Sequence, residues 1–402
     1  MRILIVGINY APELTGIAPY TTGLAEHLAR DHEVTVLTGL PHYPDWQVAP
    51  HHRAWRTEER TGNVRVIRLG HYVPKNPDVL RRGLYEVTWS ARAAAAGRSI
   101  PTDLVVAVVP ALLGAHAARS LSAHHGVPLG IIVQDIMGKA AEQSGARGGR
   151  LVSTMTTRIE RSAMRQVAGV STIHPRLAIE LGTLTDTVPD VIYNWTHVAP
   201  RPRLGTSFRE ELGWRDDEVI ALHSGNMGGK QNLEVVVDAA RLAELEGSPV
   251  RFVLAGGGHQ RTVVERYARG CSNVSFVPSI EDDDYVDFLA SADVLLVNER
   301  PGMSEMSLPS KLTSYLVAGR PIVAATNEHS PTADFIRASG GGIVTPAGNH
   351  AQLLDAISKV TADNEWSGRL AADGRAFAEE HLSKAAAMSA YDLWIAGLAA
   401  QH

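Results

Sequence analysis

At 402 residues the chain has room for two domains of ordinary size, and 45% hydrophobic against 20% charged residues is a globular composition with ample core material. A formal net charge of −5 gives no reason to expect nucleic acid as a partner. The single cysteine, Cys271, excludes an internal disulfide framework and suits a reducing cytoplasm, where the chain is expected to reside.

The opening run RILIVG (2–7) is too short for a signal core or a membrane span, and no later stretch approaches ~18 uninterrupted apolar residues. After it come a helical stretch, YTTGLAEHLARD (20–31), and the runs EVTVLT (33–38), VRVIRL (64–69), DLVVAVV (103–109), PLGIIVQ (128–134) and GVSTI (169–173). Runs apolar on both faces and separated by helices are what a buried parallel sheet needs. At 194–207, NWTHVAPRPRLGTS breaks the pattern with proline, glycine and polar residues, which reads as a linker. A second series follows: EVIALHSG (218–225), VRFVLAG (250–256), NVSFVP (273–278), ADVLLVN (292–298) and RPIVAAT (320–326). The fold class expected is α/β, with two doubly wound parallel-sheet domains over 1–198 and 199–380. The helical stretch 368–400 is longer than one crossover needs, so 381–402 is expected to return to the first domain.

Ligands of open α/β sheets bind outside the carboxyl ends of the strands, so the strand-end loops carry the chemistry. In the first, GINYAPELTGIAPY (7–20), Gly16 stands just ahead of a helix. A glycine there permits positive φ and close backbone approach, and the helix terminus favours an anion; the alternative is a plain turn glycine. In the second, SGNMGGKQN (224–232), the pattern is nearly a phosphate loop. Ser224 replaces its first glycine and Gln231 its metal-holding hydroxyl. A nucleotide held by Lys230 and the amides of Gly225–Gly229, with no obligatory metal, fits better than ATP hydrolysis. In the third, ERPGMSEMSLPSKLTSYLVAGRPIVA (299–324), Pro309 and Ser310 begin a short helix that ends at Gly319, and Ser310 is expected to supply an N-terminal hydrogen bond. Lys311 then lies in the first turn, where a cation opposes the helix dipole unless an anion occupies that end.

Taken together, VGINYAPELTGIAPYTTGLAEHL, IIVQDIMGKAA (131–141), VIYNWTH (191–197), SGNMGGKQNLE and LPSKLTSYLVAGRPIVA resemble the retaining glycosyltransferases of family four, especially bacterial exopolysaccharide enzymes of the colanic-acid type. The resemblance implies a GT-B fold, two Rossmann-like domains facing a central cleft, with a nucleoside-diphosphate sugar held mainly by the second. By that likeness Gly16 approaches the donor diphosphate and Lys230 is one of two basic residues that meet it. The other, usually Arg, falls at Asn226 or Met227, and Lys311 is expected to compensate. Donor contacts are thus expected from Gly16, Gly225, Asn226, Gly229, Lys230, Glu305, Ser310, Lys311 and Ser314. Where the family often has His-Asp, this chain has Gln134-Asp135. Gln134 can bond a sugar hydroxyl but carries no proton. Asp135 would orient the acceptor hydroxyl or take its proton; otherwise it caps a helix. The family's paired glutamates are not intact: the second is Ser314, and Glu305 is one place off the first.

The reaction so implied moves a sugar to an acceptor hydroxyl with retention, the departing phosphate taking the proton and no metal or cofactor taking part. It would serve bacterial polysaccharide or glycosylated natural-product synthesis. The alternatives are a nucleotide-sugar 2-epimerase, for which His223 is available, and a non-catalytic nucleotide-sugar-binding subunit, which Gln134 and Ser314 leave open. The acceptor is expected on the first domain, where LPHYPDWQVAPHHRAW (40–55) offers His42, Tyr43 and Trp46 either as stacking surfaces or as lid packing. Segments 81–98 and 147–165 hold four and five Arg against one Glu each. They would suit anionic lipid at the inner face of the plasma membrane and a lipid-linked saccharide, or else form solvated faces beside a small-molecule acceptor. The donor's base and sugar stay open.

Overall fold

The apolar runs read from the sequence become the strands of two separate sheets. The computed structural model describes residues 1–14, 16–109, 112–134, 149–196, 207–280, 282–302 and 309–401. These divide into one unit of residues 1–194 with 387–402 and a second of residues 195–386.

In the first unit eight strands run in the order β3-β4-β2-β1-β5-β6-β7-β8. They are β1 (Arg2–Gly7), β2 (Glu33–Gly39), β3 (Arg56–Thr61), β4 (Val64–Leu69), β5 (Leu104–Val109), β6 (Leu129–Val133), β7 (Gly169–Thr172) and β8 (Asp190–Val191). Ile5 pairs with Val36 on one side and Val106 on the other, so β1 is central and buried after its first residue. All pairings are parallel except β3 with β4. The sequence reading omitted β3 because RTEERT has no apolar face. It forms by hairpin through Gly62 (φ 59°), and its carboxylates pair across the strands, Glu58 with Arg65 and Glu59 with Arg68. A charged edge strand of this kind also resists pairing with other chains.

The second sheet is wholly parallel, in the order β11-β10-β9-β12-β13-β14. Its strands are β9 (Val219–Ser224), β10 (Val250–Ala255), β11 (Val274–Val277), β12 (Val294–Asn298), β13 (Ile322–Thr326) and β14 (Gly342–Pro346). Leu222 of β9 lies between Val253 and Leu295. Because β9 is flanked by β10 and β12, the strand order reverses there, and the carboxyl ends of β9 and β12 bound a crevice.

The long terminal stretch is two helices, Asn364–His381 and Lys384–Ala399. They break at Leu382, whose carbonyl accepts the Thr196 amide at 2.9 Å. The second helix rests on β6 and β7: a Cβ on Gly130 would lie 2.7 Å from the Trp394 ring, and one on Gly169 equally close to Leu398. Those strands carry glycine where the helix needs room. Among the described residues no helix is long and apolar enough to cross a membrane.

Trp394 is 7% exposed, so its removal leaves a cavity under the terminal helix. Trp394→Ala is expected to cost the first unit about 3–5 kcal/mol in urea denaturation. A loss under about 1 kcal/mol would show that the helix is not anchored there.

Candidate functional site

The crevice of the second unit is built around a lysine. β9 ends in His223 and Ser224, both buried. Helix Lys311–Ala318 follows β12 and sets its first residue against them, with Lys311 Nζ 3.3 Å from His223 Nε2. Burial holds the imidazole well below its ordinary pKa, and the lysine charge lowers it further. Desolvation draws Lys311 itself down to about 7. Among the described residues no carboxylate pairs with it. One turn on, the buried Tyr315 hydroxyl accepts the Ser224 amide at 2.8 Å and donates to the Ser224 carbonyl at 3.1 Å. This pins the helix to the end of β9 and fixes where the ammonium stands.

The loop after β9 packs backbone to backbone on the loop after β10. Gly225 (φ 122°) donates its amide to the Ala255 carbonyl at 3.0 Å, and a Cβ there would lie 3.6 Å from Lys311 Nζ. Gly256 (φ 114°) has no room for a Cβ against the Gly225 carbonyl, and Gly258 (φ 137°) has none against Met227. The Met227 amide donates to Gly257 at 2.6 Å, and Gln260 donates to the Met227 carbonyl at 3.0 Å. Gln231, in the place of a phosphate-loop hydroxyl, accepts the Gly228 amide at 3.0 Å and so closes the turn. The Lys230 carbonyl accepts the Arg300 amide at 2.8 Å, tying this loop to the one after β12. The Asn226 and Lys230 side chains are exposed, and a Cβ on Gly229 would meet open space.

Helix Glu234–Glu246 starts two residues later than the sequence suggested, because Asn232 adopts φ 47°. The expectation for Ser310 is corrected likewise. It occupies the N-cap place, but its backbone is already helical and its side chain makes no cap bond. Ser314 is buried on the helix, and Glu305 lies outside the described residues. Sequence reasoning missed Tyr315 and the glycine run 256–258. The three consecutive glycines at a strand end were the available signal. It also passed over Glu299, whose carboxylate accepts the hydroxyls of Thr326 and Thr332 beneath the end of β12.

In the first unit Gly16 adopts φ 66°, and a Cβ there would lie 3.3 Å from the Tyr43 ring. Glu13, also missed, joins the two loops: buried, it accepts the amides of His42 and Tyr43 at 2.8 and 2.9 Å and the Asn9 amide group at 2.8 Å. His42 is buried, with Nδ1 on the Leu40 carbonyl and Nε2 on the Tyr85 hydroxyl, at 2.7 and 2.9 Å. Tyr43 and Trp46 keep exposed surface. Gln134 forms a reciprocal amide pair with Asn194, at 3.2 and 2.7 Å. Asp135 lies outside the described residues. Among the described residues no cluster of His, Cys, Asp and Glu could hold a metal ion.

The two units, each with a Rossmann-like sheet, have the architecture of glycosyltransferases of GT-B type. Residues 15–195 match the family model "Glycosyl transferase 4-like domain", and residues 206–377 match "Glycosyl transferases group 1". The chain is 36% identical over 336 residues to an Escherichia coli (strain K12) protein provisionally described as the colanic acid biosynthesis glycosyl transferase WcaI, spanning 79% of this chain and 82% of that one. The chain therefore belongs to the group 1, family-four glycosyltransferases, which are retaining enzymes. Solved structures share the fold. Sucrose-phosphate synthase of Thermosynechococcus elongatus superposes with TM-score 0.70 at 18% identity over 99% of both chains. Anabaena HepE in complex with UDP-glucose does so with 0.65 at 15%, over 98% of this chain and 99% of that one.

Lys311 makes stability depend on pH. Unfolded, its ammonium titrates near 10.5; folded, near 7. Between those values the unfolded chain holds the extra proton, so stability rises with pH across that window. Lys311→Met removes the term. The variant is expected to be more stable than wild type at pH 6–7 in urea denaturation, with the advantage shrinking toward pH 10. A constant difference across pH would place the ammonium in water.

Proposed function

We propose that the chain transfers a sugar, with retention, from a nucleoside-diphosphate sugar to a hydroxyl of a growing bacterial polysaccharide. The observation that carries this reading is the Lys311 ammonium beside Gly225, with no carboxylate paired to it among the described residues, at the switch point of a sheet whose family uses nucleotide sugars. A diphosphate is the anion such a site suits. The likeness to a protein described for colanic acid biosynthesis supports a polysaccharide product.

In this reading the bond from the anomeric carbon to the phosphate oxygen breaks as the acceptor oxygen bonds to the same carbon, and the acceptor proton leaves with the phosphate. Negative charge grows on the departing diphosphate, and dipoles already aimed at it stabilise the transition state without reorganising. Lys311 and Lys230 have that role, with Asn226 and Gly229 on the loop, while the Gly225, Met227 and Gly228 amides are donated within the fold and brace it. Gly16 is the donor contact proposed from the first unit. Asp135 orients the acceptor hydroxyl, and Gln134 holds the loop through Asn194 and bonds a donor hydroxyl. Ser310, Ser314 and Glu305 remain proposed donor contacts by family likeness. For the acceptor, Tyr43 and Trp46 offer ring faces, while His42 acts indirectly by bracing their loop.

A thermal-shift screen of UDP-, GDP- and dTDP-sugars tests the reading. One donor at about 100 times its Kd should add about 2.7 kcal/mol to stability. Lys230→Ala and Lys311→Ala should each abolish most of the shift. Stabilisation that survives both substitutions would move the diphosphate away from this loop.

A further inference from the structure

Lys311 Nζ and His223 Nε2 are both basic nitrogens, and at 3.3 Å one has to donate to the other. Either an ammonium donates to a neutral imidazole, or an imidazolium donates to a neutral amine. Two like charges at that separation are disfavoured, so the pair carries one positive charge at most. His223 is wholly enclosed, which disfavours its charged form. Lys311 is half-buried and can exchange protons with solvent. The proton that the pair gains or loses is therefore the lysine's, and burial draws its pKa down to about 7.

The elements packed around the pair supply no counter-charge among the described residues. From β9 the facing group is His223 itself. The lysine's own helix brings the Tyr315 phenol, held on the Ser224 backbone and kept neutral by burial, with Tyr285 of helix Asp282–Ala290 near it. After β12 come Glu299, whose carboxylate accepts the Thr326 and Thr332 hydroxyls, and the exposed Arg300. The loops after β9 and β10 carry the exposed Lys230 and His259, and the His259 ring lies 3.5 Å from where a Cβ on Gly228 would stand. Glu305 lies outside the described residues. The lysine's proton is thus held against desolvation by one neutral ring nitrogen.

An anion reverses that balance, because a negative oxygen near Nζ favours the ammonium over the amine. We propose that the donor binds together with a proton: the empty Lys311–His223 pair is partly discharged near neutrality, and the arriving diphosphate draws a proton from solvent onto Lys311. The proposal rests on the transferase reading and adds a regulation to its donor site. Its sign follows from linkage. A group that binds its proton more tightly in the complex makes binding strongest where it is already charged, and affinity is lost as pH rises above 7. Release of the diphosphate product returns the proton, so the empty enzyme does not keep a fully charged lysine out of water.

Calorimetry in two buffers of different ionisation enthalpy counts the protons taken up. UDP-glucose, GDP-mannose and dTDP-glucose are the probes, since their diphosphate diesters have no group that titrates between pH 6 and 8. The probe that gives a thermal shift should take up about one proton at pH 8 and about a tenth of one at pH 6. Its affinity should be about fivefold weaker at pH 8 than at pH 7. Lys311→Arg, which cannot lose its charge, should show no uptake and an affinity flat over that range. His259→Gln, at an exposed position, should leave the uptake unchanged. If Lys311→Arg binds no probe, the wild-type Lys311 ¹³Cε resonance decides: its titration should move from near 7 to above about 9 when the probe is added. Binding without uptake, a resonance that does not move, or uptake kept in Lys311→Arg and lost in His259→Gln would overturn the coupling. No thermal shift with any probe would count against the transferase reading instead.

Discussion

A lysine charge held out of water, with no counter-charge among the described residues, is the constraint from which the second unit is best understood. Lys311 reaches His223 at the end of β9, and burial draws its proton affinity down by more than three pH units. The fold maintains that position at a cost in free energy. Tyr315 ties the helix to Ser224 through two hydrogen bonds, and Gly225, whose φ of 122° suits glycine, lies beside the lysine. The neutral histidine can lie against the ammonium without repelling it. An anion at this place would offset the desolvation and raise the lysine's proton affinity together, so binding and protonation are coupled. The helix dipole acts in the same direction, since the first turn of Lys311–Ala318 favours negative charge.

The cations of the first unit work under different physics. Arg53 and Lys75 stay hydrated, so their interaction with an anion is weakened by salt over a Debye length of about 8 Å in physiological ionic strength. Hydrated charges of this kind can attract an anion but cannot polarise a breaking bond as a desolvated charge can. Lys311, in its low-dielectric surroundings, acts at short range and little screened.

The fold was legible wherever burial required an apolar run on both faces, which covers the central strands of both sheets. It was not legible in β3, whose RTEERT owes its strand state to pairing with β4 and to the turn at Gly62. Nor was it at Leu382, where a hydrogen bond from Thr196 interrupts an otherwise continuous helical pattern. In the site, Lys311 could be singled out because a cation in a first helical turn is an electrostatic anomaly visible in one dimension. Tyr315 could not, and His223 stood out only as a candidate for a different reaction, since both meet the lysine's helix only when β9 and a segment far along the chain are brought together. His42 shows the opposite difficulty: a histidine in an aromatic, proline-rich loop reads as a contact surface, yet both ring nitrogens are occupied within the fold.

The departures from familiar motifs follow one physical logic. Gln231 lacks the hydroxyl that would hold a metal, but its side-chain carbonyl accepts the Gly228 amide and so fixes the loop's curvature. Gln134, where the family often has histidine, joins Asn194 in a reciprocal amide pair that a singly protonated imidazole could not complete on both sides. Glu299, beneath the end of β12, has its carboxylate satisfied by two hydroxyl groups of the same unit. Gln231 thus exchanges a group that could hold a cation for one that fixes backbone. In the proposed reading, what meets an incoming diphosphate is a braced loop, an exposed Lys230 and a confined Lys311. For a reaction whose main demand is stabilising a leaving anion, rigidity of the dipoles matters more than the number of charges, because dipoles already oriented need not reorganise as the bond breaks.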